Sequence, residues 1–349
     1  MNEKPWPRSL SRGEPVSKAR SGSSWAPLLL AAEKGYEEVV KLLLDKGVDV
    51  NTQGGQFGNA LQAASFGGHG QMVKLLLDKG ADIYAQGGYF GNALQAASAG
   101  GYKQVVKLLL DKGVNVNAQG GCYGNVLQAA SAGGYKKVVK LLLDNGANIH
   151  AQGGYFGNAL QAASAGGYKQ VVKMLLEEGA NVNAQGGYFG NALQAVSHKG
   201  HNQVAELLLN EGANVNAHGG DYGNALQAAS FEGHEQMVKL LLDNGADVHA
   251  RGGHFGNALQ AASSEGQEQV VLLLMDEGAN VNTQGGYFGN ALQAASAGGH
   301  EQVVKLLLRK GANINAQGGR FHNALMAAAL EGHGHLLQLL LDKGANVNT

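Results

Sequence analysis

The feature that most constrains this chain is a repeat of 33 residues. An asparagine recurs at that interval without one insertion or deletion, and Ala26 lies in the same register one period earlier. The repeated asparagines are Asn59, Asn92, Asn125, Asn158, Asn191, Asn224, Asn257, Asn290 and Asn323. They define ten repeats over residues 21–349. Because a repeat of this length is too small to bury its own apolar faces, we expect each one to pack on its neighbours in a one-dimensional stack.

The fifth repeat, residues 153–185, shows how one unit is built, and it reads GGYFGNALQAASAGGYKQVVKMLLEEGANVNAQ. Asn158 is a good N-cap, so a short helix is predicted to begin after it and to end near Gly166. A second helix is predicted from about Tyr168 until Gly179, a residue suited to the left-handed conformation that ends a helix. Its apolar residues form two overlapping stripes, which predicts packing on two sides. A polar, glycine-rich loop then leads to the next repeat.

The first repeat carries a family resemblance. From Ala26 to Asn51 it reads APLLLAAEKGYEEVVKLLLDKGVDVN. This resembles the ankyrin repeat pattern, in which a T-P-L-H tetrapeptide precedes alanines, Gly-His, an apolar second helix and G-A-D-V-N. The resemblance covers 329 of the 349 residues. It implies an all-α fold, an ankyrin-repeat solenoid of ten helix-turn-helix units with protruding loops or short β-hairpins.

Repeats two to nine depart from that pattern at the tetrapeptide. They carry Asn-Ala-Leu-Gln, or Asn-Val-Leu-Gln at Asn125 to Gln128, in place of T-P-L-H. Asn replaces Thr as the helix cap, and Gln replaces His as the group expected to link adjacent repeats by hydrogen bonds. This variety resembles the arrays of fungal ankyrin proteins, including those at the C-terminus of fungal NOD-like receptors of the NACHT type. The residues themselves contain no nucleotide-binding module.

The composition excludes several classes of protein. Despite 55 glycines, the four prolines and 44% hydrophobic residues argue against a disordered chain. Only the net basic residues 1–20 are expected to form a disordered tail. With 26 basic and 27 acidic side chains, no global field attracts nucleic acid or an anionic membrane. Cys122 is the single cysteine, which excludes an internal disulfide framework. Without a signal-peptide core or a long apolar run, the chain is expected to be cytoplasmic, with a nuclear location left open.

No residues form the asymmetric constellation that catalysis requires. Ser164 and its repeated counterparts lack a G-x-S-x-G turn. The GGYFGN loops resemble an anion cradle, but no strand precedes them and no Lys follows them. Histidines in equivalent positions are separated by one repeat spacing of about 10 Å, too far to converge on a zinc ion. We therefore expect no enzymatic activity, no cofactor and no metal site.

The positions that vary among the repeats indicate where a partner binds. An aromatic residue recurs in every loop from Phe57 to Phe321, either as a packed ladder or as a platform for ligand rings. The residue before it and the last residue of the first helix vary instead, most strongly in residues 186–284. The family resemblance implies that these positions line a concave groove, whereas neutral drift of exposed residues is the alternative. The candidate partner-binding residues are Tyr155, Tyr188, His198, His218, Asp221, Phe231, Arg251, His254 and Tyr287.

Two functional hypotheses follow. The first is a protein-protein interaction module or scaffold that recognises a protein or peptide through the groove and the loop tips, without binding nucleic acid or membrane. The alternative is a C-terminal ligand-sensing or regulatory segment of a fungal NOD-like signalling ATPase. The last repeat keeps apolar residues at Met326, Leu330, Leu336 and Leu337. This end is therefore expected to fray, to self-associate or to continue into further repeats.

Overall fold

The computed structural model describes residues 27–347. In this part of the chain, twenty α-helices form ten pairs, one pair in each repeat. The first helices of the repeats are α1 (Pro27–Lys34), α3 (Ala60–Phe66), α5 (Ala93–Gly100), α7 (Val126–Ala132), α9 (Ala159–Ala165), α11 (Ala192–Lys199), α13 (Ala225–Glu232), α15 (Ala258–Ser264), α17 (Ala291–Gly298) and α19 (Ala324–Leu330). The second helices are α2 (Glu37–Asp45), α4 (Gly70–Asp78), α6 (Lys103–Asp111), α8 (Lys136–Asp144), α10 (Lys169–Glu177), α12 (Asn202–Asn210), α14 (Glu235–Asp243), α16 (Glu268–Asp276), α18 (Glu301–Arg309) and α20 (Gly334–Asp342).

Contacts divide the chain into two compact halves, with the boundary between Ala180 and Asn181. In the N-terminal half, the first helices pack side by side in the order α1, α3, α5, α7, α9. In the C-terminal half, α11, α13, α15, α17 and α19 pack in the same way. Within each repeat the second helix packs on the first. The solenoid expected from the sequence is confirmed. The tail predicted for residues 1–20 lies outside the described residues.

The local signals that predicted the helices act as expected. The Asn158 side chain accepts a hydrogen bond from the backbone N–H of Gln161 at 2.9 Å, and α9 ends with Gly166 as its C-cap. The eight other repeated asparagines cap their helices in the same manner. Val171, Val172 and Leu175 of α10 are at most 1% exposed. A nine-residue helix with so much buried surface is held mainly by its neighbours rather than by its own propensity.

The loops between repeats form minimal β-hairpins. In the described residues, a two-residue strand pair occurs only where β1 (Gln119–Gly120) pairs antiparallel with β2 (Gly124–Asn125). Elsewhere a single antiparallel bridge joins the equivalent residues, such as Gly54 with Gly58. Successive hairpins approach each other closely, because a Cβ added to Gly88 (φ +64°) would lie 2.5 Å from the nitrogen of Gly58. Gly88, the second glycine of its Gly-Gly pair, is therefore required by backbone contact between neighbouring repeats.

The predicted glutamine links join adjacent repeats. Nε2 of the fully buried Gln95 lies 3.1 Å from the carbonyl oxygen of Gly120, 3.3 Å from that of Gly124 and 3.5 Å from that of Ala118. In the C-terminal half, Gln194 makes the same contacts with the carbonyl oxygens of Ala217, Gly219 and Gly223 in the following repeat. These bonds tie the start of α5 and the start of α11 to the hairpin of the following repeat, as the sequence predicts.

A second link was not predicted. After the second helix, Asn117 accepts a hydrogen bond from the backbone N–H of Asn148 at 2.7 Å and donates to the carbonyl of Gly146 at 3.0 Å. The same pair of bonds recurs at Asn51, Asn183, Asn216, Asn282 and Asn315. Repeats with asparagine at this register are thus bonded to the next repeat after the second helix as well.

Candidate partner-binding surface

The recurring loop aromatics form a packed ladder in each half. In the N-terminal half, ring centroids are 6.0 Å apart between Phe57 and Phe90 and 6.4 Å apart between Phe90 and Tyr123, with nearly parallel planes. In the C-terminal half, the distances are 6.3 Å from Tyr222 to Phe255 and 6.4 Å from Phe255 to Phe288. Since the rings cover one another at this spacing, the structure favours the ladder over a platform for ligand rings.

The varying residue at the end of the first helix contacts this ladder. The Phe231 ring lies between Tyr222 and Phe255, with centroid distances of 5.7 and 4.7 Å. His198 lies between Phe189 and Tyr222 at 5.4 and 4.9 Å. In the repeats with alanine at this position, only a methyl group is present. The size of this one residue therefore determines the shape of the surface between the hairpins and the helix ends.

Phe66 makes the equivalent contact in the N-terminal half. Its ring lies 5.5 Å from that of Phe57 and 4.7 Å from that of Phe90. Phe231 and Phe66 are thus two copies of one packing arrangement in different halves.

The residue that precedes the ladder aromatic is more buried and more closely packed than its variation among the repeats suggested. Tyr155 is only 6% exposed, and its ring meets Phe156 edge to face at 5.1 Å. Tyr188 and Tyr287 are half-buried, and each meets the aromatic residue that follows it in the same way. His254 is exposed and stacks on Tyr287 at 4.8 Å. Packing with neighbouring rings therefore limits this position in part.

Backbone hydrogen bonds connect this position from repeat to repeat. The N–H of Cys122 donates to the carbonyl of Tyr89 at 2.9 Å, and the N–H of Tyr155 donates to Cys122 at the same distance. In the C-terminal half, the two bonds on either side of Asp221 lengthen to 3.4 Å, whereas that from Tyr287 to His254 is 2.9 Å. The loop tips are held by these bonds whichever side chain they carry.

The candidates of the C-terminal half fall into two groups. The first group contacts the aromatic ladder or its neighbouring rings, and it consists of Tyr188, His198, Phe231, His254 and Tyr287. Of these, Phe231 and Tyr188 are partly buried and pack against the core of the ladder. His218, Asp221 and Arg251 are exposed on the hairpins. Tyr155 lies in the N-terminal half. Among the described residues, neither Arg251 nor His218 makes a ring contact with the aromatic ladder.

Charged residues that were not chosen as candidates lie beside the rings. Nδ1 of His198 is 3.0 Å from Oε1 of Glu232, and the two side chains are 10% and 32% exposed. Lys199, Glu232 and Glu265 occupy one register that holds glycine in repeats two to five and in repeat nine. The replacement of glycine in three consecutive repeats was the signal that pointed to them.

The pKa values of Lys199, Glu232 and Glu265 are shifted by burial and by neighbouring charges. Burial raises the pKa of Glu232, but the hydrogen bond with His198 and the charges of His198, His234 and Lys199 outweigh it, so the net shift is downward. Burial raises the pKa of Glu265, and the nearby Glu232 adds to that rise. Burial lowers the pKa of Lys199, partly countered by Glu232. The row is a coupled set of partly desolvated charges.

Arg320 is a further residue beside the rings that is not among the predicted partner-binding residues. Its guanidinium carbon lies 5.3 Å from the centroid of the Tyr287 ring, and Nη1 donates a hydrogen bond to the Tyr287 hydroxyl. It extends the ring system toward the last repeat with a positive charge.

The histidines at the Gly-His position have a structural role. Nε2 of His234 lies 3.1 Å from the carbonyl oxygen of His198, and Nε2 of His300 lies 3.0 Å from that of Ser264. His69 and His333 make the same contact in their repeats. Within residues 27–347, no group of three or more His, Cys, Asp or Glu side chains is placed to hold a metal ion. Of the helices described, none has the length and apolar character needed to cross a membrane.

Comparison with known proteins identifies the family. A family profile described as ankyrin repeats in three copies matches residues 61–153, 94–186, 159–252 and 258–349, and a second ankyrin profile matches residues 28–77. The chain belongs to the ankyrin repeat family. It is similar to the crystal structure of the human ASB11 ankyrin repeat domain, with 28% identity and a TM-score of 0.52 over 62% of this chain and 98% of that domain. No curated protein matches the chain. Ankyrin repeats are in general non-catalytic scaffolds for protein-protein interaction.

Proposed function

We propose that this protein is an interaction module that binds a protein or peptide partner through the concave groove and loop tips of repeats six to eight. The observation that carries the proposal is the insertion of His198 and Phe231 into the aromatic ladder of these repeats. Phe231 remains only partly buried, as do Tyr188 and Phe288 beside it. These rings offer apolar area that the fold does not use completely, which is typical of the anchors of an interface.

The charges beside the rings define the chemistry of the partner. Glu232 and Glu265 share the register at the ends of the first helices with Lys199, and Arg251 lies on the hairpins with Asp221. A partner with apolar or aromatic side chains flanked by charges of both signs matches this distribution. Nucleic acid and membrane surfaces lack that pattern. We therefore favour an extended protein segment as the partner.

The proposal is tested by selecting peptides from a display library on the full chain and titrating them against variants. Phe231→Ala or Arg251→Ala should weaken binding at least about tenfold, or about 1.4 kcal/mol. Phe66→Ala is the matched control, because the Phe66 ring packs at the same 4.7 Å from its nearest neighbour in the other half. Lys107→Ala on the exposed side of α6 is a second control. If Phe66→Ala or Lys107→Ala weakened binding while Phe231→Ala and Arg251→Ala had no effect, the assignment would be wrong.

The remaining parts of the proposal concern context. We propose that the ankyrin domain spans residues 21–349, that the protein acts in the cytoplasm, and that self-association involves the last repeat. Met326 and Leu330, which are 38% and 67% exposed, support the last point, whereas Leu336 is buried. The origin as a regulatory segment of a NOD-like ATPase remains a prediction from the resemblance, and the complete open reading frame tests it.

A further inference from the structure

The first described repeat has an uncovered apolar face. Leu30, Val39 and Leu42 are 39%, 45% and 59% exposed. In repeats two to five and seven to ten, the residues equivalent to Leu30 and Val39 are at most 2% exposed, because the preceding repeat covers them. These side chains of repeat one therefore form the face on which an element located before it would pack. We call Leu30, Val39 and Leu42 the N-terminal face.

The shape of this face disfavours another ankyrin repeat as its occupant. Leu30 occupies the register that holds a fully or almost fully buried alanine in every later repeat, from Ala63 to Ala327. That alanine allows adjacent first helices to pack closely, as α1 and α3 do. A leucine adds three carbon atoms at the contact, and such overpacking typically costs about 1–3 kcal/mol. The N-terminal face fits an irregular segment better than a repeat.

We propose that residues 1–26 of the same chain cover the N-terminal face, with Trp6 as the principal contact. These residues join α1 directly at Pro27, and a segment of that length can extend more than about 80 Å, whereas α2 is only about 13 Å long. They contain the two tryptophans of the chain, Trp6 and Trp25. Three of its four prolines, Pro5, Pro7 and Pro15, are also here. Proline has no N–H to leave unsatisfied, so a proline-rich segment can pack on an apolar face without pairing as a strand or helix.

The charge of the segment also suits this location. Residues 1–26 carry five Lys or Arg and two Glu. In repeat one, Glu33, Glu37 and Glu38 outnumber Lys34 and Lys41, and two of these glutamates are on the first turn of α2 next to Val39. A basic segment is attracted to the acidic side of this face.

Tryptophan fluorescence provides a test in the full chain, because both tryptophans lie in the proposed segment. In a Trp25→Phe background, Trp6 is the sole reporter. We expect its emission to be blue-shifted, and its quenching by acrylamide to be at least about twofold weaker, relative to a synthetic peptide of residues 1–26 with the same substitution. Adding Leu42→Asp should raise quenching to the level of the peptide. Leu330→Asp, at an exposed leucine of the last repeat, should leave the quenching unchanged.

Two results would overturn the proposal. One is a Trp6 in the full chain that is quenched as strongly as in the free peptide. The other is protection that disappears on dilution together with a fall in the mass measured by light scattering, since a second copy would then be the occupant. Circular dichroism of the Leu42→Asp variant verifies that the helices remain, so a loss of protection is not mistaken for unfolding.

Discussion

The glutamine link between repeats yields a prediction whose size follows from the structure. Gln95 and Gln128 are both fully buried at the same register of neighbouring repeats. An amide has two N–H groups, and Nε2 of Gln95 faces three carbonyl oxygens at 3.1 to 3.5 Å, so both N–H groups are engaged. Nε2 of Gln128 has one such partner, the carbonyl of Gly157 at 3.2 Å. Gln95→Ala removes one more hydrogen bond than Gln128→Ala.

The two substitutions delete the same atoms from equivalent buried sites, so the terms for lost volume largely cancel in the comparison. A hydrogen bond contributes about 0.5–1.5 kcal/mol net. Gln95→Ala should therefore lower the free energy of unfolding by about 1 kcal/mol more than Gln128→Ala. Urea denaturation followed by circular dichroism measures this difference, provided that the slopes agree, because repeat arrays do not always unfold in two states.

Hydrogen exchange gives an independent measurement of the same effect. Protection should fall in residues 117–125 for Gln95→Ala and around Gly157 for Gln128→Ala. The reasoning would be refuted if Gln128→Ala cost as much as Gln95→Ala, or if exchange in the following hairpin did not change in either variant.

Further substitutions test other parts of the fold. Leu175→Ala should cost about 2–5 kcal/mol in chemical denaturation, because Leu175 is fully buried, whereas Leu330→Ala should cost little at 67% exposure. The folded-state pKa of Glu232 is lowered, so its contribution to stability is present above its ordinary pKa of 4.5 and is lost as the pH falls through the lowered value. The difference in melting temperature between wild type and Glu232→Gln should accordingly shrink in acid. His322→Gly should stabilise the last repeat by about 0.5–1 kcal/mol, because His322 has a left-handed φ of 64°. Gly289→Ala should destabilise by more than about 1 kcal/mol, since its Cβ would lie 2.8 Å from the backbone of the next hairpin.

Local features of this fold were predictable from the sequence because their causes are local. The cap by Asn158 and the end of α9 at Gly166 depend on residues within one repeat. The glutamine links were predictable because the family resemblance implied that this position forms hydrogen bonds to the adjacent repeat. The internal copies also distinguished positions required by the stack from those free to vary.

Features that depend on the lateral register of two repeats were not predictable in the same way. His198 and Glu232 are 34 residues apart, and their contact requires knowing how two helix ends align. Tyr155 was predicted to bind a partner because its position varies, yet it is buried. A position can vary without being exposed when several kinds of side chain can pack on the same ring. The N-terminal face was missed because Leu30 looks like an ordinary helix residue until its alanine counterparts are seen to be buried.

The way the repeats are joined explains why residues next to the aromatic ladder can vary without altering the frame. The bond between loop tips runs from backbone N–H to backbone carbonyl, so it forms with tyrosine at 89 and with cysteine at 122. The other links use buried glutamine side chains and exposed asparagine side chains that recur along the chain. The ring inserted at the end of the first helix takes no part in those links, whether it is Phe231 or His198. A substitution there changes the relief and charge of the surface while the bonds between repeats persist, and under the proposed function a change of partner requires only such substitutions.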